Sequence, residues 1–242
     1  MARRCCAPGK SARKIAGRFR AHRLYTTNHF TMANWKVPRR GMPCPIGAAP
    51  FRVKGHGLRA RMAVYDRIVP GGRAAVLAAI EDVAVREYLS GPILAASWYD
   101  CFAHAVLDIA AADVRKMTAW ESVATASALQ AEQDAGGIYS LLLKVVSPHL
   151  LIRKLGAISA QYFDHGEVLV EKVDAQTARL TRSGIPNQLY WWWGGILDGY
   201  VHALFRIAGA KNTQFRLGFL ESDEPDNPLG RGTFQVDVSW DK

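Results

Sequence analysis

The sequence predicts an α+β fold: about five helices, then a strand–strand–helix–strand–strand block forming an antiparallel sheet with a packed amphipathic helix. Three observations carry this expectation. Apolar residues recur three and four apart from Phe51 to about Phe163, period-two alternation begins only after Gly166, and no linker longer than a turn separates the two parts. A single domain over residues 51–242 follows, preceded by a basic segment over 1–50.

Leu58, Met62 and Tyr65 share one helical face, and Pro70-Gly71-Gly72 stops that helix. Val76 to Tyr88 is the second helix, closed by Ser90-Gly91-Pro92. The third runs from Trp98 to about Ala112 and carries Phe102, Ala105, Val106 and Ile109 as its buried stripe. Thr118 with Glu121 forms a capping box for a helix to Gln133, which Gly136-Gly137 ends. After the apolar stretch Ile138–Val146, Ser147-Pro148 starts a helix to about Phe163, with a cap residue followed by proline at its first position.

Asp164-His165-Gly166 is a turn into Val168, Val170 and Val173, which pair with a second strand around Ala178 to Thr181 as a hairpin. Helical spacing resumes through Leu189, Trp193, Ile196, Tyr200, Leu204 and Ile207, with Gly209 as the stop. Phe215, Leu217 and Phe219, then Phe234, Val236 and Val238, mark the last two strands, joined by the acidic segment Glu221 to Gly232.

Charge divides the chain. The first acidic residue is Asp66, and the 65 positions before it hold fifteen Lys and Arg, a net of +15 against −5 for the rest. The basic segment has no apolar period able to offset the cost of ordering its backbone, so a disordered tail is the expectation. It reads in three ways: translated upstream sequence ahead of a true start at Met32 or Met42, a passive tail, or an active segment, whether an arm that binds nucleic acid, an organelle-targeting peptide or a contact for anionic membrane. No run of about eighteen apolar residues occurs and no secretory signal is recognisable, so a cytoplasmic protein without a membrane span is expected. Cys5, Cys6, Cys44 and Cys101 have neither zinc-site spacing nor the pattern of a disulfide framework.

Ser147-Pro148, Tyr162-Phe163-Asp164-His165-Gly166, Gly209-Ala210-Lys211 and the closing Phe234-Gln235-Val236-Asp237-Val238-Ser239-Trp240, with Val53-Lys54-Gly55 and Trp98-Tyr99, give the chain a family likeness from Phe51 to Trp240. It resembles an uncharacterised bacterial paralogue family grouped with the haem nitric-oxide-binding domains, the vinyl-reductase-like domains and the transport-particle subunits of Golgi vesicle tethering. The resemblance implies a helical half joined to a helix-bearing antiparallel sheet, with a small or lipidic ligand between them. It implies no particular ligand. The haem-binding relatives carry a Tyr-x-Ser-x-Arg motif that this sequence lacks, so haem is not expected on His104 or His165. Where the family follows Trp-Tyr with proline, this chain has Asp100.

No catalytic motif is present. Asp100, His104 and Asp108 are spaced by four and could form a metal or acid–base group. His104, however, lies about 200° around the helix from Phe102, which places it on a solvated face. Asp198 and His202 form an intrahelical pair, Cys101 is a small core residue, and Gly55-His56-Gly57 opens a helix without a phosphate-binding pattern. Asp223, Glu224 and Asp226 lack the spacing of a calcium loop.

Trp191, Trp192 and Trp193 step around a helix by about 100° each, so Trp193 joins the buried stripe while Trp191 or Trp192 either packs against the helical half of the same chain or lines a ligand pocket or a subunit interface. The sequence therefore predicts a non-enzymatic sensing or scaffold domain that holds a small apolar ligand and self-associates through the helix from Leu189 to Ala208. Phe102, Tyr162, Trp192, Ile196 and Tyr200 are the expected lining of its pocket or interface. The alternatives are a nucleic-acid-associated protein acting through the basic arm and a metal-dependent enzyme using Asp100, His104 and Asp108.

Overall fold

In the computed structural model the chain is described over residues 41–136, 147–172, 174–220, 224 and 227–241. The expectations for the basic segment 1–40, the apolar stretch Ile138–Val146, Val173, Asp223 and Asp226 lie outside these residues.

A short antiparallel pair opens the fold, β1 (Arg52–Lys54) against β2 (Trp98–Asp100). Between them come α1 (Gly55–Ile68), α2 (Gly72–Ala78) and α3 (Val83–Ser90), followed by α4 (Cys101–Arg115) and α5 (Ala119–Gly136). Two expectations are corrected here. The single helix over Val76–Tyr88 is two, because Asp82 caps α3 by accepting from the Val85 N–H. Residues 98–100 are strand rather than helix, and Asp100 caps α4 through the Phe102 N–H at 2.8 Å.

The capping box at the start of α5 is formed: Glu121 Oε2 accepts from the Thr118 N–H and Thr118 Oγ1 accepts from the Glu121 N–H. Packing begins before Phe51, since Ala49 is buried and Met42 lies against both core clusters. The Gly47 N–H donates to Asp100 at 2.9 Å, so the folded region reaches back beyond the expected boundary.

The second half begins with α6 (Pro148–Tyr162), with Pro148 in its first turn. A hairpin of β3 (Glu167–Lys172) and β4 (Thr177–Pro186) follows, then β5 (Lys211–Leu220) and β6 (Arg231–Asp241), in the order β3-β4-β6-β5, all antiparallel. Between β4 and β5 runs one helical rod: α7 (Tyr190–Ile196), a π-helical turn Leu197–Val201, and α8 (His202–Ile207). Gly209, at φ +83°, ends it.

The α+β class and the β-β-α-β-β block are as the sequence predicts. Two apolar cores result, one under α1–α4 and one between α4–α8 and the sheet. Among the described residues, no helix is long and apolar enough to cross a membrane.

Candidate functional site

The helix α4 is buried on every side from Cys101 to Ala112. A single apolar stripe requires one wet face, and a helix at the centre of the fold has none. His104 is therefore 3% exposed and Asp108 fully buried, which corrects the expected solvated face. Asp108 accepts three hydrogen bonds: from Tyr65 Oη at 2.5 Å, Arg61 Nη1 at 3.2 Å and Trp192 Nε1 at 2.7 Å. Arg61 also donates to Gln130 and Ser127, so this buried ion pair is matched in charge and hydrogen bonds.

Asp100 is occupied by the Gly47 and Phe102 amides. His104 Nε2 lies 3.8 Å from Asp108 Oδ1, while Asp100 at the end of β2 is turned to those amides, and among the described residues no group of three His, Cys, Asp or Glu side chains is placed to hold a metal ion. Asp198 accepts from Trp120 Nε1 at 3.1 Å, and His202 stacks on Phe215, in place of the expected intrahelical pair. Cys101 is buried, and burial pushes its thiol well above the ordinary range.

All three tryptophans are buried, at 5%, 0% and 3% exposure. Of the two readings of Trp191 and Trp192, packing within the chain is the one the burial agrees with, since facing outward presupposes a helix lying on the surface. The rod is instead enclosed. Trp192 reaches α4 at Asp108, while a Cβ on Gly195 would lie 2.8 Å from Val123, and one on Gly199 would lie 2.0 Å from the Ala124 carbonyl on α5. The opposite side faces α6 and the sheet. The surplus aromatics are thereby used within the chain, which leaves this rod no exposed tryptophan through which to self-associate.

Between α6, the rod and the sheet lies a cavity of about 100 Å³. Its walls are mostly apolar: Leu155 and Ile158 from α6, Val168, Leu180 and Val236 from the sheet, and Trp193, Ile196, Leu197 and Val201 from the rod. Of the residues expected to line a pocket, Tyr162, Ile196 and Tyr200 do so. Phe102 and Trp192 do not border it and are buried in the core nearby.

Tyr162 and Tyr200 both donate to Asp134 Oδ2, at 2.6 and 2.9 Å, with their hydroxyls 3.1 Å apart. Burial, helped by Tyr200 and Asp134, raises the Tyr162 phenol far above its usual value, so it remains a donor.

Three basic residues at the cavity escape a reading by apolar spacing: Arg61, His104 and Arg182. Both His104 ring nitrogens lack a hydrogen-bond partner, and burial pushes the imidazole down to about 4. Arg182 is 6% exposed on β4. Its guanidinium lies 3.8 Å over the Trp193 ring, Nη1 donates to Ser159 Oγ, and Nη2 donates to the His165 carbonyl at 3.1 Å.

The signal for Arg182 is present in the sequence. Ala178, Leu180 and Arg182 share the inward phase of β4, a position where arginine is out of place. Directly after it the β4–β6 register shifts, with Gly184 at φ +71°, the kind of irregularity that re-aims a side chain.

No protein-family model and no curated protein matches the sequence. Solved structures do match. The Cs H-NOX mutant with 4-cyano-L-phenylalanine at site 5 is 8% identical over 78% of this chain and 97% of that one, with a TM-score of 0.57. An oxygen-binding H-NOX domain related to soluble guanylate cyclases, in its oxygen complex, is 9% identical over 78% and 93%, with a TM-score of 0.53. A mutant of T. Tengcongensis H-NOX is 8% identical over 78% and 95%, also at 0.53. The likeness is one of fold alone.

Haem, which the fold brings into question, does not suit the residues present. The cavity of about 100 Å³ is small even beside the roughly 300–1,000 Å³ of sites for drug-sized molecules. Phe163 and Trp193, both lining it, stand with ring centroids 4.3 Å apart, and His104 stacks on Trp192.

Proposed function

We propose that this chain is a non-enzymatic sensing or scaffold domain that binds a small, largely apolar ligand between α6, the α7–α8 rod and the sheet. The observation that carries the reading is the apolar cavity at the junction of the two halves, walled by rigid elements and closed at one side by the Tyr162–Tyr200–Asp134 cluster. The H-NOX-like fold supports it, since among those neighbours one is described as oxygen-binding. A ligand touching helices and sheet together is coupled to their relative position, which a sensor requires.

Ile196, which lines the cavity and is half-buried, is the position to test. Ile196→Trp, by filling the space, should abolish heat of binding for small apolar compounds in calorimetry while far-ultraviolet circular dichroism stays native. Undiminished binding in a folded variant would place the ligand elsewhere.

A further inference from the structure

We propose, building on the reading that this cavity holds a ligand, that the ligand is a small apolar monoanion, a carboxylate, whose charge is taken by Arg182. Two buried arginines border the cavity. Arg61 is matched by Asp108 at 3.2 Å, but Arg182 has no carboxylate partner among the described residues. Its two hydrogen bonds go to a neutral hydroxyl and a backbone carbonyl, and Nε has no acceptor. A desolvated guanidinium stacked on an indole without a counter-charge is costly, and proteins retain such a group where an anion completes it. Desolvation lowers the pKa of Arg182 to about 9, and the group carries its charge at neutral pH.

The stoichiometry of charge selects the ligand. One unmatched cation balances one negative charge, so a dianionic phosphate would leave a net charge buried beside apolar walls. A carboxylate also accepts the donor at Nε, whereas an alcohol or amide offers no charge. Neutral His104, whose two nitrogens are unpartnered, supplies one more donor and one acceptor at the same cavity. Beside Arg61, Gln130, Ser159 and the Tyr162 and Tyr200 hydroxyls, the rest of the lining is hydrocarbon and aromatic, so the body of the ligand is a short aliphatic chain. The volume limits its size: about 100 Å³ is less than the roughly 150 Å³ of a cavity that accommodates benzene.

The test compares straight and branched aliphatic carboxylates of about three to five carbons with their neutral amides, by calorimetry on the full chain at pH 7. The expected result is binding of at least one acid about ten-fold or more tighter than its amide, the usual scale of a charge-assisted hydrogen bond. That preference should vanish in Arg182→Gln and persist in part in Arg182→Lys. Equal binding of acid and amide by the wild-type protein would overturn the role of Arg182 while leaving a ligand-binding cavity intact. Binding of neither class would overturn the ligand-binding reading itself. The wild-type comparison stands even if the Arg182 variants do not fold.

Discussion

His104 and His165 are both buried in the folded chain, and burial pushes each down to about 4. In the unfolded chain both return to about 6.5, so the unfolded state binds more protons between those values. Stability contributed by the neutral rings is complete above about pH 6.5 and falls as pH drops towards 4. His104 faces Asp108, which favours its charged form, and Arg61, which opposes it, but desolvation is the largest effect. Its removal should therefore flatten the acid limb of the stability curve. In urea unfolding at pH 7 and pH 4.5, His104→Phe should lose less stability than wild type by up to about 3 kcal/mol. Parallel pH dependences would mean that His104 is not held neutral in the core.

The α7–α8 rod shows how far apolar spacing reaches and where it stops. Trp193, Ile196 and Tyr200 are legible as one inward stripe because the period of 3.6 residues fixes the face they share. What spacing cannot supply is the second neighbour. Gly195 and Gly199 lie four residues apart on another face, and they let α5 approach closely enough to bury that side too. The same limit explains α4, where Asp108 reads as solvated until Arg61, 47 positions earlier, is seen to meet it. Ordinarily glycine-to-alanine stabilises a helix by roughly 0.5–1 kcal/mol. At Gly199 the new Cβ would stand 2.0 Å from the Ala124 carbonyl, a backbone atom that cannot turn aside. Gly199→Ala should instead destabilise by about 1–3 kcal/mol in chemical denaturation, the usual range for overpacking. A gain in stability would show that α5 and the rod are not in close contact.

Across the whole molecule, the order of elements is readable because helical spacing first gives way to strand alternation near Gly166 and then resumes only over Leu189 to Ala208. The gap between the halves is not, since a cavity arises from how three separate elements fail to fill the space they enclose. Arg182 illustrates the difference: its inward phase can be read from β4 alone, but its missing counter-charge emerges only when α6, the rod and the sheet are assembled. Ligand binding here requires that this largely apolar space be accessible. Diffraction from xenon-pressurised crystals tests this most directly, because xenon enters dry apolar cavities of this scale. A xenon peak bordered by Leu155, Ile158, Leu180, Ile196 and Val236 is expected. Well-ordered density in which those side chains close on one another, leaving no xenon, would contradict it.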